Sequence, residues 1–320
     1  MRKRAIIPGL GTKAKIWATL IPIIGLVFAT IGVLVGVCTD WIMLADEAKA
    51  RDYVPSTGVE KIAEELQLTR KGKSIFYATG PQLQNSVAFN KGCGNDGKDT
   101  YTLGCYWKDD AKNEHIALYD TGISELNENG FHFNFAAERN VTALHEMLHA
   151  VYERLDEDDK VTVCSNAHLI AEGIPSLKQS LAIYPESQYC TEVYARIGSE
   201  YIAALSGKDS EPVRILSEHY QQYFSFNYEL AQAHRNNQTT ELALGTHLMN
   251  LYNNLSIEKA RVESLKNNYY RYPSVANLAN TNAAIDNYNS RLAEYKTYYS
   301  THERIRTALN SEASATLASL

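Results

Sequence analysis

The chain has 320 residues, 45% of them apolar and 21% charged, with a formal net charge of -6. That length holds a catalytic domain of ordinary size plus accessory parts, and the apolar content suffices for a real core. The acidic balance excludes the basic stripe of a nucleic-acid binder, so no nucleic acid is expected as a partner.

Residues 1–15 form a basic segment carrying Arg2, Lys3, Arg4, Lys13 and Lys15. From Ile16 to Cys38 there is no charge, and that run is long enough to cross a hydrocarbon core of about 30 Å. A transmembrane helix is therefore predicted over 16–38. Asp40, Asp46 and Glu47 follow it. The positive-inside bias then places the amino terminus in the cytoplasm and the main domain outside, as a single-pass protein of the cell membrane. A cleavable signal peptide is the alternative, but its apolar region would be shorter, and the small pair Ala48 and Ala50 lies well past the run. A lipoprotein box ending at Cys38 would have Val37 where a small residue is needed. Gly32 and Gly36 make a small-xxx-small pair through which membrane helices can approach.

Residues 39–209 read as one domain. Val59, Ile62, Ala63 and Leu66 predict a helix within Gly58–Thr69, and Ser74–Ala78 is a strand candidate. Asn90–Thr100, rich in Gly, Asn and Asp, reads as a loop. Tyr101–Trp107 and His115–Asp120 are strand candidates, and the latter is the candidate edge on which an extended peptide adds by main-chain hydrogen bonds. Cys93, Cys105, Cys164 and Cys190 face the outside, where disulfides persist; sequence order suggests Cys93 with Cys105 and Cys164 with Cys190, among three possible connectivities. No CxxC pair supports a thiolate site. Asn140, Asn237 and Asn254 begin glycosylation sequons.

The segment Thr142-Ala-Leu-His145-Glu146-Met-Leu-His149-Ala150 carries the chemistry. Residues four apart share a helix face, so His145 and His149 can ligate one zinc ion, with Glu146 beside them as general base toward a water. Leu144, Met147, Leu148, Val151 and Leu155 recur at helical spacing, which predicts an amphipathic helix with the histidines beside its apolar stripe. The acidic run Asp156–Asp159 suits the start of the next helix, through Val161–Ala171.

From about Ser210 the composition turns polar, Tyr-rich and helical. Leu244, Leu248, Leu251, Leu255, Val262, Leu265 and Tyr269 step by three and four, as do Ile285, Tyr288, Leu292, Tyr295, Tyr299, His302 and Leu309. These are heptad seams, interrupted at Arg271–Asn277. Residues 210–320 are thus predicted as a helical region with a coiled-coil hairpin, or with helices that pair with a second copy or a partner protein.

Two histidines and a water leave zinc one protein ligand short. Glu192, Glu200 and, at a helix end, Glu172 are the candidates. Here the chain resembles the gluzincin metallopeptidases, in which a glutamate on a later helix, often followed three residues on by a small residue, completes a His/His/Glu site. Glu192 with Ala195 matches that arrangement, and a disulfide at Cys190 would pin it. The layout is also similar to bacterial membrane-anchored HExxH proteins: an anchor, an LGCYW-type strand at Leu103–Trp107, the HEMLHA helix, and a glutamate segment ending Gly198-Ser-Glu200. That likeness covers most of residues 50–230. The chain departs from the best-known gluzincins in lacking an Asn-Glu-xx-Ser-Asp segment and a clear transition-state histidine; Tyr194, Tyr201 and His219 are candidates for the oxyanion donor.

The resemblance implies an α+β, zincin-like domain, mainly helical with a small sheet. It also implies Zn2+ held by His145, His149 and Glu192, with Glu146 as the catalytic base of peptide or protein hydrolysis. An amidase acting on cell-wall cross-links shares this chemistry. A membrane-tethered scaffold or binding protein, with a structural or degenerate metal site and a functional hairpin, is the rival from another class.

Overall fold

The structure, a computed structural model, describes residues 44–93 and 103–309. The expected membrane span at 16–38 and most of the expected 90–100 loop lie outside these residues. Among the described residues no helix is long and apolar enough to cross a membrane. The described chain is mainly helical with a small sheet, in line with the α+β expectation.

Residues 44–52 are helical and lead into α1 (Thr57–Glu65). The Ser56 side chain caps α1 by accepting from Val59 N, and Val59, Ile62 and Ala63 are buried. The next segment corrects the sequence reading. Ser74–Ala78 is not a strand but the end of α2 (Arg70–Ala78), which opens on a Thr69 side chain accepting from Gly72 N. Gly72, Ile75 and Phe76 are buried on one face, and this helical period, set by the cap, overrides a five-residue run that alone looks β-forming.

β1 (Gln82–Gln84), α3 (Ser86–Cys93), β2 (Gly104–Lys108) and β3 (Glu114–Tyr119) follow. The three strands form a sheet in the order β1-β3-β2, with β1 parallel and β2 antiparallel to β3. His115–Asp120 is therefore the central strand rather than the edge, and β2 is an edge strand. β4 (Glu125–Glu128) and β5 (Phe131–Asn134) make a separate hairpin. Its turn residues Asn129 and Gly130 have φ of 52° and 81°, the left-handed pair that an Asn-Gly hairpin turn requires.

α4 (Phe135–Glu153) is the axis of the molecule. Asn134 caps it by accepting from Ala137 N, and Leu144, Met147, Leu148 and Val151 are buried along it. α5 (Glu157–Glu172), α6 (Pro175–Leu181), α7 (Glu186–Arg196), a π-helical turn (Ile197–Tyr201), α8 (Ile202–Leu205) and α9 (Glu211–Tyr220) follow; α7 and the π-helical turn pack on α4, and the others pack on those two or on one another. Asp156 caps α5 with Glu157, Asp158 and Asp159 in its first turn, as the acidic run predicts. Val213, Leu216, Tyr220 and Phe224 belong to the same core as Met147 and Leu148, so that core continues past residue 209.

α10 (Tyr228–Arg271) and α11 (Val275–Ala308) form the predicted hairpin. They run antiparallel: Thr281 Oγ1 donates to Leu265 O near the turn, while Tyr298 packs on His247 far from it. Leu244, Leu248, Leu251, Leu255 and Val262 are buried in the seam. On α11 the buried positions are Thr281, Ala284, Thr301 and Ile305. Leu244, Leu248, Ile305 and Leu309 join Phe133 and Phe135 in a second core that fixes the hairpin base to β5 and the start of α4. Asn237 strengthens that joint by accepting from Asn134 N at 2.7 Å and donating to Asn134 O at 2.8 Å. Asn140 and Asn237 are buried, so two of the three sequons are closed to modification in the folded chain.

Candidate metal centre

α4 carries His145 and His149 one turn apart, and their Nε2 atoms lie 3.0 Å from each other. α7 brings Glu192 against both, with carboxylate oxygens 3.6 Å from His145 Nε2 and 3.6 Å from His149 Nε2. Two ligands on one tetrahedral zinc at about 2.0–2.1 Å lie about 3.3 Å apart, so these separations suit a shared ion. Among the described residues this is the group of His, Cys, Asp and Glu side chains close enough to hold a metal.

The electrostatics agree with that use. Burial first, then the neighbouring His149 and Arg196, holds the His145 pKa well below its ordinary value. Burial lowers that of His149 to about 4. Both imidazoles are therefore neutral, the form that ligates metals. Glu192 Oε2 is buried with no hydrogen-bond partner, an arrangement that costs free energy unless a cation satisfies it. The donor set thus fits a divalent ion.

Two glycines let these elements come together. A Cβ on Gly198 would lie 2.5 Å from Leu148 Cδ1 and 2.7 Å from Tyr220 Cε1, so the π-helical turn after α7 can sit on α4 only without a side chain there. A Cβ on Gly104 would lie 2.5 Å from Thr142 Cγ2 and 3.0 Å from Glu146 Cγ, so β2 is pressed onto the same helix from the other side. The Cys164–Cys190 disulfide ties α5 to α7 two residues before Glu192, and Cys93–Cys105 ties α3 to β2. Both expected pairings are present, and each ends on a wall of the cleft.

Glu146 points into that cleft, 8% exposed. Burial, then the Glu192 charge, pushes its pKa up to about 8, and the Tyr106 backbone N–H, donating to the carboxylate, opposes the shift. Tyr106 stacks its ring on His149 at 6.2 Å between centroids and donates its hydroxyl to Glu114 Oε1 at 2.7 Å. Glu114 is held by Arg154 at 2.6 Å, and Arg154 also grips Asp46 at 2.7 and 2.8 Å. A chain of charge-assisted bonds thus runs from the 44–52 helix to the ring beside the second histidine.

The cleft has a volume of about 530 Å³ and is lined on its far side by Tyr184, Gln188 and Thr191. Burial raises the Glu192 pKa, opposed by the Arg196 charge and by a hydrogen bond from Tyr184, and the Arg196 guanidinium sits 5.9 Å over the Tyr184 ring. The rival glutamates are elsewhere. Glu172 pairs with Lys178 at 2.6 Å on the surface, and Glu200 is half-buried near Arg196 and His234. The three sequence candidates for an oxyanion donor are not among the residues lining the cleft. Tyr194 is in the core with its hydroxyl 3.0 Å from His219 Nε2, and Tyr201 packs by Ser176. Tyr184 and Tyr106 were missed as site residues. The only local signal at Tyr184 is the Pro185 that follows it and starts α7.

No family model, curated protein or solved structure matches this chain.

Proposed function

We propose that the chain is a membrane-anchored, zinc-dependent metallopeptidase whose metal is held by His145, His149 and Glu192. The observation that carries this reading is the pairing of a three-residue donor set with an open cleft at its mouth. Structural zinc sites are closed by four protein ligands, whereas hydrolytic sites keep one position for water and substrate. That contrast favours catalysis over the scaffold reading, in which the hairpin alone would be functional.

A bound zinc ion supplies Lewis acidity at the scissile carbonyl and makes a nearby water more acidic. Glu146 takes the proton from the attacking water and passes it to the leaving amine, held in position by the Tyr106 N–H. The water oxygen adds to the carbonyl carbon as the π pair moves onto the carbonyl oxygen; that pair then re-forms the C=O bond as the C–N bond breaks, and the amine leaves with the proton that Glu146 delivers. The Tyr184 hydroxyl, across the cleft, donates a hydrogen bond to the carbonyl oxygen as it becomes negative.

Substrate binds as an extended strand along β2. Tyr119 N donates to Leu103 O, so odd-numbered residues of this segment turn their main-chain groups to β3. Gly104 turns its main-chain groups, and Tyr106 its carbonyl, to the open edge beside the metal site, the Tyr106 N–H being taken by Glu146.

The test is Glu146→Gln in the full chain, assayed against a peptide library with zinc content measured in parallel. Hydrolysis falls about 100-fold or more while zinc stays bound. Unchanged turnover would remove Glu146 as the base. Zinc bound to a chain that cleaves nothing, wild type included, would return the site to a structural role.

A further inference from the structure

Arg196 stands one turn after Glu192 on α7, on the same face of that helix. Its guanidinium gathers two further segments. Nη1 donates to Ser180 Oγ of α6 at 3.0 Å, and Tyr184, in the link between α6 and α7, has its ring centroid 5.9 Å away and its hydroxyl in hydrogen-bonding reach. Arg196 Nε is buried with no partner, so the cation is kept at this place at a cost in solvation. Tyr184 and Glu192 line the cleft, and Arg196 lies one layer behind them.

The chemistry of the two groups sets a direction. A guanidinium has only donors, whereas a phenol has one O–H and two acceptor lone pairs. With Arg196 donating to the Tyr184 oxygen, the hydroxyl proton turns away from the cation. The acceptor it meets there is the Glu192 carboxylate, to which Tyr184 hydrogen-bonds. The donors thus run in one sense from Arg196 through Tyr184 to the metal side of the cleft, where the carbonyl oxygen of a substrate at the metal would lie. We propose that Arg196 is a positioning residue, whose guanidinium orients the Tyr184 O–H toward that carbonyl oxygen and stabilises the phenol oxygen as their hydrogen bond strengthens. This role rests on the reading of Tyr184 as the oxyanion donor.

The test compares Arg196→Gln, Tyr184→Phe and the double variant in the full chain, by kcat and KM on a cleaved peptide and by zinc affinity. Arg196→Gln is expected to lower kcat about tenfold with KM and zinc affinity near wild type, and the double variant to fall no further than the about 100-fold of Tyr184→Phe alone. Arg196→Lys, a milder change, loses less, and its loss too disappears in the Tyr184→Phe background. A second readout needs neither metal nor turnover: with Tyr184 replaced by 3-fluorotyrosine in the metal-free chain, the fluorine resonance moves toward that of the free amino acid on Arg196→Gln. Losses that multiply to about 1,000-fold in the double variant would leave Tyr184 as donor and overturn the positioning. A loss of zinc affinity that matches the loss of kcat would overturn it too, by showing that Arg196 acts on Glu192. A fluorine resonance indifferent to Arg196 would do the same, whether or not any peptide is cleaved. Full turnover in Tyr184→Phe would overturn the donor and this role of Arg196 together.

Discussion

Gly104 shows how closely a single residue controls the geometry of the site. Its Cα faces the Thr142 and Glu146 side chains of α4, with no room for a methyl group. Gly104→Ala is expected to push β2 off the helix, at a cost of about 1–3 kcal/mol, and to loosen the Tyr106 N–H from Glu146. Urea unfolding checks the stability, and the activity of the same protein checks the alignment; a variant equal to wild type in both would show that β2 does not depend on that contact. Tyr184→Phe is expected to lower kcat about 100-fold with zinc retained, since it removes one donor and little volume. A KM effect alone would make Tyr184 a substrate contact instead. Both residues escaped sequence reading because their roles depend on contacts between distant segments. His145, Glu146 and His149 were legible because a helix puts residues four apart on one face.

At the scale of elements, α7 is positioned by a crosslink and a glycine, and α4 by the hairpin base. Cys164→Ser with Cys190→Ser opens a loop of 26 residues, expected to cost about 3 kcal/mol, and frees the start of the helix that carries Glu192. Zinc affinity is expected to fall more than it does for Cys93→Ser with Cys105→Ser, which frees the substrate edge; competition with a chromophoric chelator measures the difference. Equal losses in the two pairs would argue against the local pinning of Glu192. These pairings were suggested by cysteine order alone, and Glu192 came from a resemblance of motif, supported by Cys190 nearby. The strand order was not legible. Whether β2 or β3 is the edge depends on β1 returning parallel to β3, a long-range pairing that local alternation does not encode. The β4–β5 hairpin does carry a sequence signal, Asn129-Gly130 between apolar alternations. In α2 the local signal points the other way: Ser74–Ala78 is short and apolar enough to look β-forming, and only the Thr69 cap sets the helical period.

Across the whole molecule, the hairpin base and α4 meet in a buried polar joint. His234 Nδ1 lies 2.9 Å from Glu138 Oε1, and Asn237 donates to the same oxygen at 2.7 Å. Burial alone would lower the His234 pKa, but the hydrogen bond and charge of Glu138, with Glu200 behind, raise it above 6.5. A raised folded-state value means that protonated His234 stabilises the fold below its unfolded pKa, and that this contribution fades as pH rises through the folded value. Wild type is therefore expected to lose stability relative to His234→Gln as pH rises above about 6.5. Urea unfolding across pH 5.5 to 8.5 reads the difference, and a constant gap would contradict the assignment. The hairpin seam itself was legible as heptads, because its contacts repeat along two neighbouring helices.

Glu192, and no other glutamate, is expected to complete the proposed metal site. This is tested most directly by zinc affinity, measured by chelator competition in the full chain for Glu192→Gln, Glu200→Gln, Glu172→Gln and Glu146→Gln. A loss of about 100-fold or more is expected for Glu192→Gln and near wild-type affinity for the other three. Wild-type affinity for Glu192→Gln, or a comparable loss for Glu200→Gln, would contradict it.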